Sequence, residues 1–152
     1  MPKPVMNPEY HQRLLHSVNT SAYPAHIAFR LLEVTDGACR VELDVAAPHF
    51  QPFGIVHGGV IATLLDTATF WAGFYALPED AGLVNVDLKL NYLKAVMGGK
   101  LIATGKCLRA GRQFSYTEAS VYDDKNELVA HGTSTLMALP GKGLRLGVGK
   151  FL

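Results

Sequence analysis

At 152 residues the chain has room for one domain with a sizeable core. Apolar residues make up 49% and charged residues 18%, which excludes a disordered chain, and a formal net charge of +1 provides no broad attraction to nucleic acid or to a membrane surface. The two cysteines, Cys39 and Cys107, share no metal-ligand spacing and fit a reducing cytoplasm better than a disulfide framework, and the N-terminal stretch MPKPVMNPEYHQ has no hydrophobic run of the signal-peptide kind.

Pro8 to Asn19 reads as a short helix. Pro8 suits a first-turn position, Glu9 complements the positive helix end, and Leu14, Leu15 and Val18 share an apolar face; Pro24 is expected to stop any continuation. From Ile27 the period becomes that of strands, with IAFRLLEVT and ACRVELDVA flanking Asp36-Gly37 as in a hairpin. APHFQPFG is a loop. A long helix follows, from about His57 to before Pro78. Leu83 to Leu93 then alternates as one half-buried strand, with Val84, Val86, Leu88, Leu90 and Tyr92 on the apolar face and Asn85, Asp87, Lys89 and Asn91 on the polar one. KLIATGKCLRAG, RQFSYTEASVYD and ELVAHGTSTLMAL are further strands, and the glycine-rich PGKGLRLGVGKFL is expected to be loosely held. Consecutive strands with tight turns imply an antiparallel sheet, so the fold class is α+β, with one long helix against a curved sheet. The organisation is an N-terminal helical segment over residues 1–26, a main domain over 27–139 and a flexible tail over 140–152.

The long helix carries one charge between His57 and Glu79, the carboxylate of Asp66. A membrane span is disfavoured. Asp66 would sit near the bilayer centre, no Lys or Arg flanks the segment, and Thr63, Thr67 and Thr69 dilute it. A helix buried on most sides in a globular protein is the better reading. Within it, two explanations of Asp66 stay open. It bonds to Thr63, Thr67 or a backbone amide, or it works on a ligand. The second reading draws on Gly58 and Gly59, which open the helix where backbone N–H groups lack intrahelical partners and a ligand can come close. A carbonyl oxygen held there would be polarised, and a carboxylate in an apolar site can act as base or nucleophile. Asp66 lies about 12 Å along the axis from Gly58, so a substrate, a water or a second copy of the chain must bridge them. His11 and His16, His49 and His57, and His131 are scattered without ligand spacing, and no metal site is expected.

FGIVHGGVIATLLDTAT resembles the H-G-G-x-x-x-x-L-x-D motif of hotdog-fold thioesterases, in the 4-hydroxybenzoyl-CoA and phenylacetate-pathway branch, and the strands after it resemble that branch too, so that the likeness runs from about Ile27 to Met137. The resemblance implies a central helix wrapped by an antiparallel sheet of about five to six strands. It also implies a dimer with a continuous sheet, often a tetramer, with sites lined by both subunits. The activity implied is hydrolysis of aryl- or medium-chain acyl-CoA, with no cofactor beyond the coenzyme A of the substrate, no nucleic acid and no membrane partner. Asp66 then matches the catalytic base or nucleophile, and Gly58 the amide that polarises the thioester carbonyl. His57 orients that turn, and Gln51 stands near the attacking water or carbonyl. Gly59 would line the substrate site. Asn85 falls where relatives carry Ser or Thr from the neighbouring subunit, and it departs from that pattern. Arg109 and Arg112 are candidates for the nucleotide phosphates, ahead of Lys94 and Lys106. Phe50 and Phe53 flank Gln51 and suit an apolar or aromatic acyl group. Two other readings share the fold: a non-catalytic acyl-CoA binder, and a 3-hydroxyacyl-thioester dehydratase with His49 as its histidine but Thr63 where its acid would stand.

Overall fold

Asn7 starts the first helix. Its side-chain oxygen accepts from Glu9 N–H at 3.0 Å, and Pro8 fills a position that needs no amide donor. In this computed structural model, which describes residues 2–152, α1 spans Pro8–Thr20 and buries Tyr10 and Leu14; Met1, the first residue of the expected N-terminal segment, lies outside the described residues. The break expected at Pro24 falls instead at Ser21, whose ψ of 158° ends α1. Pro24 sits in the first turn of a second short helix, α2 (Ala22–Ile27), where its missing N–H costs nothing.

Strands β1 (Phe29–Thr35) and β2 (Ala38–Asp44) form the expected hairpin, with Gly37 at φ +78° in its turn. A 3-10 turn (Ala47–His49) and a loop lead to α3 (Gly58–Phe74), followed by β3 (Ala81–Asn85), β4 (Lys89–Tyr92), β5 (Lys100–Ala110), β6 (Phe114–Tyr122) and β7 (Leu128–Pro140). The sheet is antiparallel, in the order β1-β2-β5-β6-β7-β3, with β4 also on β7. Irregularities at Leu31/Glu33, Cys107/Arg109 and Val121/Tyr122 help it curl around α3. No helix among the described residues is long and apolar enough to cross a membrane.

The seventh strand arises because the segment Leu83 to Leu93 is two strands, not one. The pairing with β7 shifts by one residue between Asn85↔Leu136 and Lys89↔Thr133. Asp87 fills the gap, accepting Thr135 N–H on Oδ1 at 2.7 Å and the Ser134 hydroxyl on its carbonyl at 2.6 Å. A one-residue slip exchanges the faces of a strand. Leu83 and Asn85 therefore face inward before the kink, Leu88 and Leu90 pack on the core after it, and Val84 and Val86 turn outward, 39% and 56% exposed. The even alternation anticipated for this segment is thus broken at its middle.

The core lies between α3 and the concave sheet. Val60, Ile61, Leu64, Leu65, Ala68 and Ala72 meet Val41, Leu43, Leu101, Ala103, Val121 and Val129. Burying each large aliphatic side chain contributes about 1.5–3 kcal/mol. The helix lies close to β5 at Gly105, where a side chain would collide with Ala68 O, and the Cys39 thiol donates to that same carbonyl at 2.9 Å. Burial pushes the Cys39 thiol up to about 12, so it stays a neutral packing group.

The two outer edges of the sheet differ. At β1, α1 supplies side chains to the backbone: Asn19 accepts from Leu31 N–H at 2.8 Å and donates to Leu31 O at 2.9 Å, and His11 Nε2 accepts from Val34 N–H at 3.2 Å. The edge is satisfied from within the chain. At the other end of the order, β3 leaves Val84 and Val86 exposed among the described residues.

The expected loose tail is a further correction. Phe151 bridges Met6, Leu152 N–H donates to Val5 O at 3.0 Å, and Lys150 is 1% exposed. The Lys150 ammonium donates to Phe74 O and Leu77 O, both at 2.8 Å, and lies 4.2 Å from the centre of the Phe74 ring. It caps the negative end of α3. Burial pushes its pKa down to about 8. Glycine content gave no sign of this anchor.

Gly105→Ala is expected to destabilise the protein by about 2 kcal/mol or more, because the α3 backbone at Ala68 and the Cys39 thiol must both give way. The midpoint of urea unfolding checks it.

Candidate active site

The phase of its turns decides which residues of a helix an enclosing sheet can cover, and one side of α3 is left open. That stripe holds Gly59, Ala62, Thr63, Asp66 and Phe70, spaced three and four residues apart. Asp66 is therefore not sealed inside the apolar helix, as its surroundings in the sequence suggested. It is exposed in the single chain, and its carboxylate takes part in no hydrogen bond or ion pair among the described residues. Thr63 and Thr67 do not hold it: the Thr63 hydroxyl donates to Gly59 O at 2.8 Å. Nearby protein still removes enough water to raise the Asp66 pKa above the ordinary aspartate value.

At the start of α3, His57 is the N-cap. Its Nδ1 accepts from Gly59 N–H at 2.8 Å, so in the neutral ring the proton lies on Nε2. A side chain at Gly59 would crowd that nitrogen at 2.9 Å. Gly58 N–H has no hydrogen-bond partner among the described residues. Its carbonyl accepts from the Tyr92 hydroxyl at 3.1 Å. Gly58 lines a depression with Gln51, Ile61, Tyr92 and Lys94. Gln51 Oε1 accepts from Phe53 N–H, which leaves its NH₂ as a donor.

Asp66 lines a different depression, with Tyr23, Gly59, Thr63 and Leu88. The structure thus brings Gln51, Gly58 and Tyr92 together, and separately Asp66 with Gly59, but does not converge Asp66 and the Gly58 amide within one chain. Asn85 faces inward, not to solvent as its strand face implied; its amide donates to Ser134 Oγ at 3.1 Å and Thr69 Oγ1 at 3.4 Å. Phe53 is 91% exposed at the loop tip. Arg109 and Arg112 lie around the β5–β6 turn, where Ala110 faces Tyr75, Leu77 and Phe151 beyond the C-terminal end of α3. A 17-residue helix is about 25 Å long, so within one chain they are remote from Gly58. Lys94 is held by Asp123, at 2.6 Å, and by Glu127. Among the described residues no three His, Cys, Asp or Glu side chains cluster as a metal centre requires.

His49 bears on the dehydratase reading. Its Nδ1 accepts from Ala46 N–H at 2.9 Å, so Nε2 carries the proton and donates to Ile27 O at 2.7 Å. Both nitrogens are committed to backbone, and the ring is buried. It has no nitrogen free for acid–base work on a ligand.

The Thioesterase superfamily matches residues 53–130, the stretch from the Gln51 loop through α3 to β7. The chain belongs to this superfamily. The proofreading thioesterase EntH of Klebsiella pneumoniae is 31% identical over 111 residues, covering 73% of this chain and 81% of the relative. A crystal structure of a thioesterase from Haemophilus influenzae superposes with TM-score 0.77 at 25% identity, over 83% of this chain and 88% of that one. A thioesterase-family protein from Silicibacter pomeroyi gives TM-score 0.79 at 26% identity, over 86% and 98%. The curled sheet around one long helix is the hotdog fold, and the protein is a thioester hydrolase.

Tyr23 and Tyr92 are the residues near this thioesterase's two depressions that sequence reading missed as site residues. Each reaches α3 from an element distant in sequence, and no local pattern marks such contacts. His57→Ala is expected to leave Gly59 N–H unpaired and cost about 1 kcal/mol, as for other side-chain caps, with His57→Asn recovering most of it; guanidinium denaturation of both variants tests this.

Proposed function

We propose that this thioesterase hydrolyses acyl-CoA, of the aryl or medium-chain class, in a site completed by two copies of the chain, as in the 4-hydroxybenzoyl-CoA and phenylacetate-pathway branch. The observation that carries the reading is the unpaired Asp66 carboxylate on the open stripe of α3, about two turns from an unpaired Gly58 N–H that opens into another depression. Each copy then supplies Asp66 to the Gly58 amide of the other. The uncovered β3 edge, with Val84 and Val86 outward, supports a dimer whose sheets continue into one another. The free thiols Cys39 and Cys107 support a reducing, cytoplasmic setting.

In this mechanism the thioester oxygen accepts from Gly58 N–H, and the helix start stabilises the negative charge that grows on it. Asp66 takes a proton from water as the water oxygen bonds to the acyl carbon. Collapse of the tetrahedral intermediate breaks the C–S bond, and the proton passes to the departing thiolate, leaving acid and thiol. The Gln51 NH₂ is a donor for the water or the carbonyl, and His57 holds the turn. If Asp66 itself attacks, water then hydrolyses the resulting anhydride; a single turnover in ¹⁸O water labels the enzyme only on that route. Asn85, Phe53, Arg109 and Arg112 enter as substrate-binding groups, the arginines and Phe53 only where a second copy brings them to the site. The reaction requires no cofactor and is expected to persist in a chelator.

Asp66→Asn is expected to lower kcat at least a hundredfold on acyl-CoA, followed by release of free thiol. A protonated Asp66 cannot accept a proton, and desolvation raises its pKa. The kcat/KM profile should therefore fall toward acid with a midpoint above the ordinary aspartate value of about 3.9. Thiol release absent across an acyl-CoA panel would favour the binder. Val86→Lys places a charge on the proposed edge and is expected to dissociate the dimer and abolish activity together, read by sedimentation and thiol release.

A further inference from the structure

The depression around Asp66 has one wall that the reaction as described leaves unused. Tyr23 comes from α2, a helix that buries none of its residues, and it is 54% exposed. Its hydroxyl lies 2.7 Å from Thr63 Oγ1, one turn before Asp66 on the open stripe of α3. The direction of that bond follows from the proton count. Thr63 has a single hydroxyl proton, and it is given to Gly59 O at 2.8 Å. Tyr23 must therefore be the donor to Thr63. With its only proton committed, the Tyr23 oxygen faces the depression as an acceptor. The neighbouring Asp66 carboxylate is also acceptor-only when ionised, and Leu88 and Ala62 complete the wall with apolar surface. The Thr67 hydroxyl, deeper in the depression, is the one lining side chain with a proton left to give, so Tyr23 and Asp66 are the depression's acceptors.

We propose that Tyr23 is a specificity-determining residue of the thioesterase, whose hydroxyl oxygen, oriented by the Thr63–Gly59 relay, selects thioesters carrying a hydrogen-bond donor near the reacting carbon. The inference rests on Asp66 marking the reacting centre. Two parts of a substrate can supply such a donor: a hydroxyl on the acyl group, or the amide N–H of the pantetheine arm. A site built to bond a donor discriminates strongly against the analogue that lacks it, since its acceptor is then left unpaired.

The test reads ratios of kcat/KM in wild type and Tyr23→Phe, which keeps the ring and removes the oxygen. One pair is hydroxybenzoyl-CoA (the three ring isomers) against benzoyl-CoA. The other is the benzoyl thioester of N-acetylcysteamine, which has an amide, against the benzoyl thioester of ethanethiol, which has none. A fall of about tenfold in the first ratio assigns the donor to the acyl group, and the same fall in the second assigns it to the thiol arm. Thr63→Val frees the Tyr23 proton, so it is expected to shift preference toward methoxybenzoyl-CoA, which offers only acceptors; a purely structural tether would not produce this change. If neither ratio moves in Tyr23→Phe, or if all substrates fall in step, the proposal is overturned. Asp66→Asn separates the two ideas, because it lowers kcat on every substrate, whereas Tyr23→Phe moves the ratios and keeps turnover of the substrates without the donor.

Discussion

An apolar helix enclosed by a curled sheet on every side but one is the constraint from which the rest of this protein follows. The buried side chains of α3 alone make the helix unstable in water, and the sheet must bend to cover them. It does so closely enough that Gly105 cannot carry a side chain against Ala68 O. Because the sheet covers three sides, whatever lies on the fourth is left for solvent or a partner. The fourth side holds Asp66. Enclosure therefore both stabilises the helix and selects which of its residues can act on a ligand.

The ends of α3 are treated in opposite ways, and each treatment has a consequence. At the C-terminal end, the Lys150 ammonium satisfies the carbonyls of Phe74 and Leu77. At the N-terminal end, His57 takes the Gly59 amide and leaves that of Gly58 unengaged. A helix start with one free amide is an anion-stabilising element, whereas one with every donor capped is not. The proposed oxyanion contact thus depends on a cap that is incomplete.

A similar asymmetry separates the edges of the sheet. Asn19 and His11 satisfy the backbone of β1 from within the chain. At β3 the slip around Asp87 turns Val84 and Val86 outward instead. The proposed dimer uses the uncovered edge, and it answers the separation of Asp66 and Gly58 that a single chain cannot close. The N-terminal segment has a second role beyond edge cover, since α2 carries Tyr23 to the wall of the Asp66 depression.

Local signals were enough for the sequence to determine the hairpin about Asp36-Gly37, the extent of α3, the three long strands after it and the prominence of Asp66, because each rests on period, turn chemistry or an out-of-place charge within a few residues. Tertiary structure alone decided the rest. The strand from Leu83 to Leu93 alternates evenly in sequence, yet Asp87 bonds to Ser134 and Thr135 and reverses its faces; those partners are more than 40 residues away. The tail looked mobile from its glycines, but Lys150 finds carbonyls more than 70 residues earlier in the chain. Asp66 looked buried because its neighbours in sequence are apolar, while its exposure depends on where the sheet stops. A residue's environment is set by what long-range contacts place beside it, and one chain's sequence encodes those contacts without displaying them.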